Sequence, residues 1–214
     1  MSMPRTEKAV CPKCGREFEY TMWQSINPGM KFAIPDIISG KLFEVRCSGC
    51  GETYTMDYPI LFNDMLHKVM IHYVAEEDVD EAIKAVGLSK ALGYRIRVVT
   101  SQYDLREKTA IFNAGLDDRV VELMKYVVVT DNMDKLGGRE IEYVLFDPDG
   151  DDSMLEILTD DGRVSYMKDV MPVYETIEEH IAEKLASMPD EDRIDLLWAE
   201  EFVQSLDEGE EIKQ

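Results

Sequence analysis

Cys11-Pro12-Lys13-Cys14-Gly15 and Cys47-Ser48-Gly49-Cys50-Gly51 hold all four cysteines of the chain in two C-x-x-C pairs, each followed at once by glycine. Loops of this kind form knuckles, in which backbone amides point at the sulfurs and the glycine relieves crowding beyond the second thiolate. Cys11, Cys14, Cys47 and Cys50 are therefore the expected ligands of one structural Zn2+ ion. Four thiolates close a tetrahedral shell and leave no position for water. The stretch from Gly15 to Arg46 exceeds the usual spacing of about 15–20 residues between such pairs. An insertion around residues 27–40, rich in Pro and Gly breaks, accounts for the excess.

Two rivals to zinc are weaker. Cys11-Pro-Lys-Cys14 has the C-P-x-C form of a thioredoxin-like redox motif, but that chemistry wants the first cysteine at a helix N-terminus. Here a strand-like Glu17-Phe-Glu-Tyr-Thr-Met22 follows instead. A disulfide across a four-residue loop gains roughly 2 kcal/mol from chain entropy, against roughly 10–16 kcal/mol of apparent folding free energy for structural zinc in small peptides. The first ten residues contain no greasy segment, and no run of 18 apolar residues occurs, so the expected setting is a reducing cytoplasm with no membrane span.

Outward from the cysteines, alternation and turn chemistry predict the elements. Strands are expected at Glu17–Met22, Leu42–Arg46, Glu52–Tyr58 and His67–Val74, with a short helix after Pro35 and a connecting segment around Asn63-Asp64. Val79, Ala82, Ile83 and Val86 recur at helical spacing, with Gly87 or Gly93 as the stop. Arg95–Val99 reads as a strand. Ser101, with Asp104 reaching back, caps a helix through Asn113 that Gly115 closes, and Asp117 or Asp118 opens a shorter one. Tyr126–Thr130, Ile141–Phe146, Met154–Thr159 and Val164–Met167 form an expected antiparallel meander with turns at Asp147-Pro-Asp-Gly150 and Asp160-Asp-Gly162. Thr176-Ile-Glu-Glu179 reads as a capping box for one helix. A second runs from about Pro189, with Ile194, Leu197, Trp198, Phe202 and Leu206 on its apolar side and a frayed tail from Asp207. The fold class is α+β: a zinc-ribbon-centred antiparallel sheet with helices, followed by an acidic meander with C-terminal helices. The domains are 1–125, including a helical segment 78–125, and 126–214.

At this point the pattern Cys11-Pro-x-Cys14-Gly15, Trp23-x-Ser-Ile-Asn27, Cys47-x-x-Cys50-Gly51 and Asp57-Tyr-Pro59 resembles the CpXC-domain family. Asn113-Ala-Gly-Leu-Asp-Asp-Arg119 is similar to its later portion, so the likeness spans about Cys11 to Lys125. The resemblance implies a mainly bacterial protein without an assigned activity, with the four cysteines as metal ligands.

Charge constrains the partners. The chain of 214 residues carries a net −21. Residues 1–100 hold 12 basic and 13 acidic side chains, and residues 101–214 hold 11 and 31. Such a field repels nucleic acid and anionic lipid. Lys13, Arg16, Lys41 and Arg46, interleaved with Phe18, Tyr20, Trp23 and Phe43, nonetheless keep a nucleic-acid-associated ribbon as one alternative, and a thiol redox switch as another. His67 and His72, five apart in the expected strand, point to opposite faces and do not chelate together. One of them could pair with Asp64 or Asp57 for acid–base work, although a structural or surface histidine is the simpler reading; His180 is a helix boundary residue. The loops Asp147–Asp152 and Asp131–Asp134 miss the calcium-binding spacing. No P-loop or G-x-S-x-G elbow occurs. Trp198 and Phe202 are core residues or a partner surface. No catalytic residues are nominated. The expectation is a non-enzymatic interaction or scaffold module with a protein partner or self-association.

Overall fold

Strand alternation and glycine punctuation shape the first half of the chain, as a computed structural model covering residues 2–211 describes it. The chain divides into two compact units, Met1–Thr109 and Ala110–Gln214. This division falls inside helix α4 (Gln102–Asn113), and the boundary read at residue 125 falls inside helix α5 (Asp118–Asp131).

In the first unit, β1 (Met3–Val10) pairs antiparallel with β2 (Glu17–Ile26), with Val10 opposite Glu17. β1 escaped the sequence reading because its charged, largely exposed residues carry no clean apolar period. α1 (Ala33–Ile38) keeps Pro35 in its first turn, as expected. The segment expected as one strand at Leu42–Arg46 begins as a 3-10 turn over Lys41–Phe43 and only then becomes β3 (Glu44–Arg46), paired antiparallel with β4 (Thr53–Thr55). The segment around Asn63-Asp64 is itself a strand, β5 (Ile60–Asp64), forming a hairpin with β6 (Val69–Tyr73). His67 consequently lies in the turn rather than in a strand. α2 (Val79–Ala85) ends at Val86, directly before Gly87, and a second short helix, α3 (Gly87–Ala91), ends before Gly93, at φ +80°, ahead of β7 (Arg95–Val99).

The sheet order is β1-β2-β5-β6-β7. The α+β class holds, but this sheet is mixed: β2 runs parallel to β5 and β6 parallel to β7. Parallel neighbours need a long crossover, and α2 and α3 provide one between β6 and β7. Ile60, Phe62, Ile71, Ile96 and Val98 are buried on these strands.

The helix start predicted at Ser101 is present: Asp104 N donates to Ser101 Oγ at 3.0 Å, and Ser101 Oγ donates to Asp104 Oδ2 at 2.7 Å. Its end, in the second unit, is a Schellman turn, with Leu116 N bonded to Ile111 O and Gly115 N to Phe112 O, both at 3.1 Å, and Gly115 at φ +75°.

α5 corrects the expected strand Tyr126–Thr130, which is helical throughout. The β-branched run favours a strand locally. Tertiary packing overrides it, since Val120, Val121, Met124 and Val128 recur at helical spacing and are buried together. Asp117 caps α5, accepting from Arg119 N at 3.0 Å and pairing with the Arg119 guanidinium at 2.7 Å. Asp117→Ala is expected to lower the stability of this unit by about 1–2 kcal/mol, read as a shifted urea midpoint.

α6 (Met133–Leu136) leads to the predicted meander: β8 (Ile141–Asp147), β9 (Met154–Thr159) and β10 (Val164–Lys168), in the order β10-β9-β8. The Asp160–Gly162 loop closes its hairpin, while Asp147–Gly150 runs on into a 3-10 turn over Gly150–Asp152. α7 (Met171–Ser187) starts more than a turn before the expected box: Pro172 sits in its first turn and Thr176 Oγ1 donates back to Pro172 O at 2.7 Å. α8 (Leu196–Glu211) begins later than Pro189, at Asp195, whose carboxylate accepts from Trp198 N at 3.0 Å. It remains helical through Glu211, beyond the start of the expected frayed tail, and residues 212–214 lie outside the described residues. Leu155, Ile157, Tyr174, Leu185, Trp198 and Phe202 join α5 in the core. Trp198 and Phe202 stack at 5.4 Å and are buried, which makes them core rather than a docking face. Among the described residues no helix is long and apolar enough to cross a membrane.

Candidate metal centre

The first cysteine pair sits in the turn between β1 and β2, and the second in the turn between β3 and β4. Each turn is stitched by the same two backbone bonds. Cys11 N donates to Arg16 O at 2.9 Å and Gly15 N to Cys11 O at 2.8 Å; Cys47 N donates to Glu52 O at 2.8 Å and Gly51 N to Cys47 O at 2.9 Å. Gly15 and Gly51 take φ of +70° and +76°, which side chains resist. Amides point at the sulfurs as knuckle chemistry requires: Cys14 N lies 3.4 Å from Cys11 Sγ and Gly49 N lies 3.3 Å from Cys47 Sγ.

The two hairpin tips meet. All four sulfurs lie within 4.8 Å of one another, with Cys11 and Cys50 at 3.6 Å and Cys14 and Cys47 at 3.8 Å. Such a group could hold a metal ion. Cys11 and Cys47 are buried against Phe18 and Val45, while Cys14 and Cys50 face solvent. Among the described residues no other group of His, Cys, Asp and Glu gathers in this way.

The surroundings tune the sulfurs unequally. Burial pushes the Cys11 thiol up, but hydrogen bonds from the Tyr54 hydroxyl, at 3.0 Å, and from the backbone amides of Cys14 and Lys13 outweigh it and bring the pKa down to about 6. The Glu52 amide lowers Cys50, yet desolvation and the adjacent Cys11, Cys14 and Cys47 push it up to about 11. The Tyr54 hydroxyl, bonded to Cys11, is itself raised and stays a donor. A divalent cation held between the four sulfurs would supply the charge that favours their thiolate forms.

The basic residues near the knuckles serve this scaffold. Arg46 Nε donates to Gly51 O at 3.0 Å, Lys13 pairs with Glu52, and Arg16 packs beside Gly49. Phe18 and Phe43 are buried and offer no face to a base, while Trp23 packs against Phe32. Sequence reasoning missed Tyr54 and Glu52, which carry no motif. A methyl group at Gly51 would sit 3.3 Å from Arg46 Nη2 on a left-handed backbone, whereas one at Gly49 meets only the flexible Arg16 side chain. Gly51→Ala is therefore expected to weaken metal retention by about 1–2 kcal/mol in chelator competition, and Gly49→Ala by less.

The histidines stay outside the centre. His67 Nδ1 lies 2.7 Å from Asp64 Oδ2 in an exposed turn, where Asp64 also accepts from the amides of Leu66 and His67. His72 is half-buried on β6, and His180, exposed on α7, has its Nδ1 2.7 Å from Thr176 O. Asp57 is engaged elsewhere, accepting from Tyr73 Oη and from Gln102 Nε2.

Neither a curated protein nor a solved structure matches this sequence. The model of the CpXC protein family matches residues 9–125, more than half of the chain and the whole of both knuckles. With its two C-x-x-C-Gly turns gathered into one cluster of sulfurs, the chain belongs to the CpXC family.

Proposed function

We propose that Cys11, Cys14, Cys47 and Cys50 hold one structural zinc ion, and that the chain is a non-enzymatic interaction or scaffold module of a reducing cytoplasm. The observation that carries the metal is the sulfur geometry. A tetrahedron with Zn–S bonds of about 2.3 Å has edges of about 3.8 Å, and the opposed pairs stand at 3.6 and 3.8 Å. Four thiolates fill that tetrahedron, so the ion clamps the hairpins together and keeps no site for a substrate. Metal analysis of the reduced, purified chain is expected to give one zinc per chain, and chelation to loosen the ribbon. Substoichiometric zinc, or unchanged folding after complete removal, overturns this reading.

A protein partner or a second copy of the chain is supported by the apolar side chains that the first unit leaves in solvent. Leu66, 83% exposed, tips the β5–β6 turn, and Leu88, 76% exposed, lies on α3. Lys68 Nζ ties that turn to the end of α3 through Leu92 O at 2.9 Å. Exposed apolar side chains on two linked elements support an interaction surface here. Self-association or partner capture by the zinc-loaded chain should fall in a Leu66→Asp, Leu88→Asp variant. The redox-switch alternative draws less support, because it needs one thiol both acidic and accessible. Here the lowered thiol, Cys11, is buried, and exposed Cys50 is raised.

A further inference from the structure

The first unit contains a cavity of about 450 Å³ away from the sulfurs, walled by the end of α1, by β3, β4 and β6, and by the start of α4. This volume falls within the usual range of small-molecule sites, about 300–1,000 Å³. Its lining mixes charges of both signs that do not neutralise one another. Glu44 and Asp57 are the acids and Arg106 is the base. Among the described residues none of the three makes an ion pair.

Asp57 and Arg106 are instead held in place by neutral neighbours. Asp57 Oδ1 accepts from Tyr73 Oη and from Gln102 Nε2 at 3.0 Å, which leaves Oδ2 for a ligand. Tyr73 is buried, and burial together with the Asp57 carboxylate pushes its hydroxyl well above the ordinary tyrosine range, so it remains a donor. Arg106 Nε donates to Ile38 O at 2.7 Å, and the guanidinium lies 5.9 Å from the Tyr103 ring centre. Its two terminal nitrogens keep the forked geometry that recognises carboxylates. Gly40, at φ +79°, lies directly beside Arg106 Nη1: an added Cβ would stand 3.9 Å from that nitrogen. Ser101 Oγ already answers the Asp104 amide in the first turn of α4, and Arg106 is the one cationic side chain among the lining residues, which makes it the group that meets an anion.

A fixed carboxylate and a fixed guanidinium in one cavity complement a small molecule bearing an ammonium and a carboxylate. We propose that this cavity binds a free α-amino acid, its ammonium on Asp57 and its carboxylate on Arg106.

The test is calorimetric titration of the zinc-loaded full chain with the standard α-amino acids, each compared with its N-acetyl and methyl-ester derivatives. At least one amino acid should bind, and losing either charge should weaken it by about tenfold or more. Asp57→Asn should abolish the distinction between free amine and N-acetyl derivative, and Arg106→Gln that between acid and ester. Zinc content and far-UV dichroism report whether each variant is folded. If a variant fails to fold, the derivative series on the native chain decides alone. No binding up to about 10 mM, equal binding of the capped derivatives, or full binding by both folded variants overturns the assignment.

Discussion

With the proposed zinc centre, Cys47→Ser is expected to abolish metal binding and to unfold the ribbon. Cys47 is buried beneath the cluster, and its carbonyl, amide and sulfur all serve the second knuckle. Serine keeps the backbone bonds but supplies a harder, less ionisable ligand, leaving three thiolates around a site built for four. Structural zinc contributes roughly 10–16 kcal/mol of apparent stability in isolated finger peptides. That figure is an upper bound here, because Phe62, Ile71 and the rest of the five-stranded sheet retain their own burial. A loss of several kcal/mol in the first unit should still follow. Metal analysis and limited proteolysis between β1 and β4 would register it. Cys14→Ser, at an exposed ligand, should lose metal with less disturbance of packing.

Trp198→Ala should produce the second large effect, confined at its origin to the second unit. The indole stacks on Phe202, its Nε1 donates to Glu191 at 3.2 Å, and its backbone amide is capped by Asp195. Truncation removes the packing and this indole hydrogen bond. Buried tryptophan-to-alanine changes cost about 3–5 kcal/mol, enough to lower the urea midpoint of this unit markedly. Trp198→Phe keeps an aromatic ring in the stack and should recover part of the loss. A folded Trp198→Ala chain with unaltered stability would mean that the ring is not core.

What could be read from the sequence was local. A C-x-x-C-Gly turn closes within six residues, and both knuckles formed as read. The meander β8–β10 was legible because strict alternation and short polar turns leave little choice of partner. Three things were not. Tyr126–Thr130 looks like a strand until its burial against α7 and α8 is known. Thr176 mimics a helix start, although Pro172 had already opened the helix. The parallel pairings of β2 with β5 and β6 with β7 join segments whose own residues say nothing of direction. The cavity is the extreme case: Glu44, Asp57, Tyr73 and Arg106 come from separate elements and share no motif. In the sequence Asp57 stands out through the family likeness of Asp57-Tyr58-Pro59 and as a partner for a histidine, whereas in the structure its carboxylate lines a cavity wall.

The knuckles also have a place in time. Cys14 precedes Cys47 by 33 residues, which at a ribosomal pace of roughly 5–20 residues per second is a wait of about 2–7 seconds. Throughout that interval the nascent chain offers a pair of bare thiols, with no second hairpin to complete the cage. Oxidant or a competing soft metal arriving then would trap the ribbon half-built, so the vulnerable moment of this protein lies in its birth rather than in its finished form.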